Sequence, residues 1–136
     1  MNFDELQEIA KLDMKIDETD LTTESLKIPE LQHKYLNYYS NFNLLLKQSE
    51  IKYKNLYLTK WEHYVGKEDK PHPKKILRQD ASMYIDADDD LNKIKVSLEY
   101  YKTIILYLDG ILKSLNNRGF QIKNAIDNKK YFEGLT

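Results

Sequence analysis

The sequence contains no cysteine, and among its 136 residues it has only four glycines and three prolines. The lack of cysteine excludes disulfide frameworks, thiolate metal sites and cysteine nucleophiles. So few glycines and prolines argue against collagen-like chains and against all-β chains with many turns. The longest apolar run, residues 104–108, is far shorter than the roughly 20 residues of a membrane span. Because the N-terminus is acidic, unlike a signal peptide, and no apolar run is long enough to span a membrane, we expect a soluble, cytoplasmic protein. Its composition favours a mainly α fold.

The charged residues are unevenly distributed, although the formal net charge is only −1. Residues 1–30 carry nine acidic and three basic side chains, and residues 31–80 carry five acidic and ten basic ones. Residues 81–136 carry eight of each sign. The chain therefore has an acidic N-terminal segment and a basic middle, which indicates either charged partners or chance segregation on a solvated surface.

A first long helix is predicted over 29–66. Pro29 suits the first turn of a helix, and Gly66 suits the position just after the last turn. Apolar residues recur at alternating steps of four and three from Leu31 to Leu45, and a shifted stripe continues to Tyr64. This pattern is typical of an amphipathic helix.

A second long helix is predicted within 81–116, where steps of three and four run without interruption from Leu91 to Leu115. The aspartates before it suit a helix start, whereas a calcium loop would need glycine where Leu91 stands. We expect the polar run at 116–119 to break the helix, and a last helix to follow over 120–132.

These elements predict a single domain that is mainly α. Its long amphipathic helices would form an elongated protomer, and an apolar arc as wide as that of the second long helix usually faces more than one partner. We therefore expect self-association. The predicted segments are an acidic N-terminal segment (1–28), a basic and aromatic helix (29–66), a basic loop (67–80), a long apolar helix (81–116) and a C-terminal segment (117–136).

No pattern for catalysis is present: the glycines are isolated, the three histidines have no ligand-like spacing, and no serine stands in a nucleophile-elbow context. We expect no enzyme activity, no metal and no cofactor. Tyr57, Lys60 and Tyr64 fall on one face of the first long helix, with Trp61 at its edge. Proteins bind single-stranded nucleic acid by combining cationic side chains, which contact the phosphates, with aromatic rings, on which the bases stack. The alternative is an interface of tyrosines covered by lysine stems.

The run from Asn117 to Asn124, Asn-Arg-Gly-Phe-Gln-Ile-Lys-Asn, resembles the hallmark of the UvsY family, the recombination mediators of tailed bacteriophages. Leu6-Gln7, the Lys60-Trp61 pair, Tyr64-x-Gly66-Lys67 and the stretch Asp88–Leu91 are similar as well, so the resemblance covers nearly the whole chain. It implies a closed, ring-like homo-oligomer that binds single-stranded DNA. It further implies that this oligomer helps the phage recombinase UvsX to load, against competition from the phage single-stranded DNA-binding protein.

The resemblance also implies residue roles. The family's pair of basic residues in the central helix falls on Leu58 and Lys60 here, so other cations would have to compensate for Leu58. The C-terminal segment from Arg118 to Phe132 would serve assembly. The acidic segment would either meet a basic partner or screen the DNA site. The predicted DNA-binding residues are Lys54, Tyr57, Lys60, Trp61, Tyr64, Lys67, Lys74, Lys75 and Arg78. The predicted residues of the oligomer interface are Tyr101, Ile105, Leu108, Leu112, Arg118, Phe120, Ile122 and Ile126. The alternative function is a coiled-coil scaffolding protein without nucleic-acid binding.

Overall fold

The computed structural model describes residues 1–66 and 77–134, and within these ranges every regular element is helical. The expectation of a mainly α protein is therefore confirmed. No helix in these ranges is long and apolar enough to cross a membrane. In chain order the elements are α1 (Phe3–Asp13), α2 (Leu21–Leu26), α3 (Ile28–Tyr64), a 3-10 turn (Arg78–Asp80), α4 (Ala81–Asp86) and α5 (Asp89–Phe132).

Helix α3 is continuous for 37 residues, and the shift of its apolar stripe does not interrupt it. It begins one residue before Pro29 and ends two residues before Gly66. Gly66 has a φ of 76°, a left-handed conformation that glycine adopts without a steric penalty. Proline at the start and glycine after the end therefore mark this helix as the sequence predicts.

Helix α5 runs for 44 residues, and the predicted break at 116–119 is wrong. The buried face continues through this run, because Leu115, Arg118 and Ile122 are all at most 3% exposed at steps of three and four. Glycine inside a helix costs about 1 kcal/mol relative to alanine, whereas burying an isoleucine contributes about 1.5–3 kcal/mol. Packing of this face therefore outweighs the weak helix propensity of Gly119 and its neighbours.

A short helix, α2, lies within residues 13–28, a stretch whose polar composition predicts a connector and no helix. The Asp20 carboxylate accepts a hydrogen bond from the backbone N–H of Thr23 at 3.2 Å, which caps the helix. Leu21 and Glu24 are buried on its inner side. The connector is therefore partly helical because its polar residues include a cap.

The chain divides into two compact units, and both long helices contribute to each of them. The first unit consists of Met1–Asn41 and Ile104–Thr136. In this unit the Phe3 ring packs edge-on against Tyr107 at 5.3 Å between centroids, and the amide of Gln32 donates a hydrogen bond to the side-chain oxygen of Asn116 at 3.1 Å. Its core consists chiefly of Leu6, Ala10, Tyr35, Ile104, Leu108, Leu115 and Ile122.

The second unit is Phe42–Thr103. Within it α3 and the first part of α5 run antiparallel, because later residues of α3 meet earlier residues of α5. Phe42 contacts Tyr101 at 6.3 Å between ring centroids, while Lys60 reaches Asp90 at 2.9 Å. The end of α3 therefore lies beside the start of α5, and this pairing positions the residues described next.

Candidate nucleic-acid interface

Lys60, the central basic residue of the predicted DNA-binding face, is held by two carboxylates in the second unit. Its Nζ lies 2.9 Å from Oδ2 of Asp90 and 3.3 Å from Oδ2 of Asp88. The hydrogen bond to Asp90, with that to Asp88, raises the pKa of Lys60, although partial burial opposes this effect. Lys60 is therefore a stable ammonium ion that already has two anionic partners.

Asp88 joins the start of α5 to the end of α3. Its Oδ1 accepts a hydrogen bond from the backbone N–H of Leu91 at 3.0 Å, and its Oδ2 accepts one from the Tyr64 hydroxyl at 2.7 Å. Burial by itself would raise the pKa of Asp88, but hydrogen bonds from Tyr64, Leu91 and Lys60 outweigh it and lower the pKa. Asp88 thus caps α5 and also orients two side chains of α3.

Several aromatic rings lie along this part of the second unit. Tyr53 and Tyr57 are 6.0 Å apart between centroids, and the Nζ of Lys95 lies 5.9 Å from the Tyr53 ring. The Tyr64 ring contacts that of Tyr84 at 5.7 Å. Tyr57 remains 39% exposed, so its ring offers a surface on which a base can stack, whereas Tyr64 is half-buried within the protein.

The other predicted DNA-binding residues that the structure describes lie elsewhere on α3 and in the 3-10 turn. Lys54 and Trp61 are seven residues apart on α3, hence about 20° apart around the helix axis. Lys54 is exposed and Trp61 half-buried, while Leu58 between them is 58% exposed. Arg78 is exposed at the start of the 3-10 turn. The predicted Lys67, Lys74 and Lys75 lie outside the described residues.

The residues predicted to join copies of the chain differ in how much surface they expose. Leu108, Arg118 and Ile122 are at most 3% exposed, because the chain itself buries them, so they have little surface left for a second copy. Phe120 is 70% exposed on α5. The other predicted interface residues are half-buried: Tyr101, Ile105, Leu112 and Ile126.

Arg118 binds the acidic N-terminal segment of its own chain. Its guanidinium donates hydrogen bonds to the backbone oxygens of Met14 at 3.1 Å and Lys15 at 3.0 Å, and to Oε2 of Glu24 at 2.9 Å. Burial alone would raise the pKa of Glu24, but hydrogen bonds from Lys27 and Arg118 lower it. Part of the acidic segment is therefore neutralised within the first unit.

Sequence reasoning assigned Asp88 and Asp90 only to the start of a helix and missed their contact with Lys60. A signal for that contact was present, because a basic residue near the end of one long helix precedes an acidic run at the start of the next. Two such ends meet only if the helices pair antiparallel, and the sequence alone does not establish that pairing.

The fold and this surface define an all-α protein, in the part of the chain that the structure describes, with lysines and aromatic rings on one long helix. A family model described as "Recombination, repair and ssDNA binding protein UvsY" matches residues 9–135. The chain therefore belongs to the UvsY family.

Individual relatives agree with this assignment. The chain is 27% identical to the recombination protein uvsY of Enterobacteria phage T4, over 98% of this chain and 99% of that protein. A crystal structure of the bacteriophage T4 recombination mediator protein UvsY, lattice type IV, matches with a TM-score of 0.88 at 27% identity, covering 96% of this chain and 99% of that one. The lattice type II structure matches with a TM-score of 0.87 at 28% identity, covering 98% of both chains.

Proposed function

We propose that this protein is a recombination mediator that binds single-stranded DNA as a homo-oligomer in the host cytoplasm. It promotes loading of the phage recombinase UvsX onto DNA covered by the phage single-stranded DNA-binding protein. The observation that carries this proposal is the family match over residues 9–135, whose description names recombination, repair and single-stranded DNA binding.

The second unit supports the DNA-binding part of the proposal. Lys54 is an exposed cation, Tyr57 an exposed ring, and Lys60 a charged ammonium close to the surface. Cations bind phosphates and rings stack on bases without sequence preference. A few such groups in each protomer bind weakly, but a homo-oligomer repeats them, and effective concentration then multiplies the weak contacts.

Exposed apolar side chains support the assembly part of the proposal. Phe120 is 70% exposed and Leu106 is 73% exposed on the part of α5 that belongs to the first unit. These two side chains are about 40° apart around α5 and about 21 Å apart along it, so they mark one side of the helix and do not form a contiguous patch. A second copy that covers Phe120 would remove this ring from water.

We expect Lys60→Ala to weaken binding to single-stranded DNA about tenfold and to flatten its salt dependence. The variant loses one cation and leaves the exposed carboxylate of Asp90 facing the phosphates without its counter-ion. Loss of one phosphate contact should lower the slope of log K against log salt by at most about 0.7. Fluorescence anisotropy with a labelled oligothymidylate at several salt concentrations measures both quantities.

Lys102→Ala is the matched control, because Lys102 also has a carboxylate partner, Glu99, at 3.4 Å and carries the same charge. It should change affinity and slope little. Equal effects of the two substitutions would count against a specific role of Lys60. A wild-type protein that does not bind the oligonucleotide at either low or moderate salt would support the scaffolding alternative.

We expect Phe120→Glu to reduce the mass of the assembly in solution. Assembly would have to bury a carboxylate at a position where the single chain exposes an aromatic ring. Size-exclusion chromatography with light scattering measures this mass. Gln121→Glu places the same charge on the next residue, which is also exposed, and should leave the mass unchanged. If the Phe120→Glu variant forms an assembly of the full wild-type mass, Phe120 is not part of the interface.

A further inference from the structure

We propose that Asp90 acts as an internal competitor of DNA: its carboxylate occupies the side of Lys60 that a phosphate must reach, and so lowers the affinity of each protomer. This inference rests on the proposed DNA-binding role of Lys60 and deepens it. It assigns to the start of α5 a regulatory effect on binding, in addition to its structural effect on the helix.

The two carboxylates at Lys60 differ sharply in exposure. The Asp88 side chain is 5% exposed, whereas that of Asp90 is 60% exposed, and Lys60 itself is 22% exposed. The Lys60 ammonium therefore has a buried anion on one side and a solvent-exposed anion on the other. An approaching phosphate comes from the solvent, so the carboxylate that it meets is that of Asp90.

Only one of these carboxylates is free to leave. Asp88 also accepts hydrogen bonds from the Tyr64 hydroxyl and the Leu91 amide, so its displacement would uncap α5 and break its contact with Tyr64. In the part of the chain that the structure describes, Asp90 has Lys60 as its single salt-bridge partner. Asp88 thus keeps Lys60 in place while Asp90 is exchanged for another anion.

A carboxylate and a DNA phosphate make equivalent contacts with an ammonium group. Both are anionic acceptors that form short, charge-assisted hydrogen bonds of about 2.7–2.9 Å. The Asp90 carboxylate lies at 2.9 Å from Nζ, within that range, so it stands where a phosphate oxygen would bind. The two anions exclude each other on the exposed side of Lys60, and DNA binding must break the ion pair first.

The expected consequence is weak and readily reversible binding by each protomer. A freed Asp90 attracts a salt cation, which offsets the counter-ion that the phosphate releases and flattens the salt dependence. Repetition around an oligomer restores the total affinity. Such a surface holds a strand through many contacts and releases each of them easily, which suits a protein that passes its DNA to a recombinase.

The test compares Asp90→Asn with Asp89→Asn in the full-length protein. Both positions are exposed in the first turn of α5, so the two variants remove the same charge from the same helix end. Asp90 alone of the two contacts Lys60. We expect Asp90→Asn to bind a labelled oligothymidylate about fivefold more tightly at low salt, as loss of a competing unit charge at about 4 Å in water predicts. Its salt slope should become steeper by up to about 0.7.

Asp89→Asn should change affinity less than twofold and leave the slope as it is. The double variant Lys60→Ala, Asp90→Asn should gain less affinity over Lys60→Ala than Asp90→Asn gains over wild type, since the competitor has lost its target and only its general repulsion of the phosphates is relieved. If Lys60→Ala weakens binding but Asp90→Asn behaves like Asp89→Asn, the competition is refuted and the proposed function stands. If Lys60→Ala and Asp90→Asn both leave binding unchanged, the DNA-binding role of Lys60 itself is wrong.

Discussion

Replacing Arg118 by alanine is expected to lower the free energy of unfolding by about 3–5 kcal/mol, the cost of removing one partner from a buried ion pair. The Arg118 and Glu24 side chains are 4% and 6% exposed, with 2.9 Å between Nη2 and Oε2. The substitution leaves the Glu24 carboxylate buried without this guanidinium, and it leaves the backbone oxygens of Met14 and Lys15 without their donor. The effect is large because one side chain satisfies three acceptors.

Urea denaturation at equal protein concentrations measures this loss. Lys113→Ala is the matched control, because Lys113 forms an exposed ion pair with Asp109 at 2.9 Å on the same helix. Exposed pairs of this kind contribute about 0.3–0.5 kcal/mol. A loss below about 1 kcal/mol for Arg118→Ala would contradict the structural role that we assign to this residue.

The same pair predicts a pH dependence. The folded protein holds the pKa of Glu24 below its ordinary value of 4.5, despite the opposing effect of burial. A carboxyl group with a lowered pKa stabilises the fold above its ordinary pKa, and this contribution is lost as the pH falls through the folded value. The difference in unfolding free energy between wild type and Arg118→Ala should therefore be full at pH 7 and shrink below about pH 4.5.

Replacing Tyr35 by alanine should also lower the free energy of unfolding by about 3–5 kcal/mol, since it removes a fully buried ring. Tyr35 is 0% exposed, and its ring packs edge-on against Tyr38 at 5.6 Å between centroids. Its hydroxyl donates to Oδ2 of Asp13 at 2.7 Å, and Lys34 reaches the same oxygen at 2.7 Å. Burial and this contact with Asp13 both raise the pKa of Tyr35, so it remains a neutral donor.

Two further variants separate the ring from the hydroxyl. Tyr35→Phe keeps the ring and loses the hydrogen bond to Asp13, so it should cost about 1–2 kcal/mol. Leu36→Ala, at a neighbouring position that is 52% exposed, should change the free energy of unfolding by no more than about 0.5 kcal/mol. If Tyr35→Ala lowers the free energy of unfolding no more than Leu36→Ala does, the Tyr35 ring is not a main source of stability in the first unit.

Much of the helical architecture is predictable from local patterns. The range of α3 follows from Pro29, Gly66 and the apolar steps between them, because these signals act over one or two helical turns. The break expected at 116–119 does not occur, because α5 continues through these residues. Asn and Gly have weak helix propensity, but the buried face formed by Leu115, Arg118 and Ile122 outweighs it, and that burial depends on residues far along the chain.

The candidate site is only partly predictable. The lysines and rings of α3 are visible as a pattern, and the resemblance to the family led to the prediction that Lys60 binds DNA. A basic residue near the end of α3 and an acidic run at the start of α5 agree with a contact, but they do not establish that Lys60 is shared with Asp88 and Asp90, about 30 residues further along the chain. The resemblance predicted Arg118 at the oligomer interface, and only the folded chain reveals that its guanidinium binds Glu24 of the same chain.

The sequence by itself determined the helical class, the ends of α3, the aspartate start of α5, the segregation of charge and the membership of the UvsY family. These properties depend on composition, short-range spacing and a recognisable motif. Only the tertiary structure decided which charges are already paired, that Arg118 binds Glu24, and that Asp90 stands beside Lys60. An ion pair requires two groups within about 4 Å, and for residues 30 to 94 positions apart only the folded chain brings them to that distance.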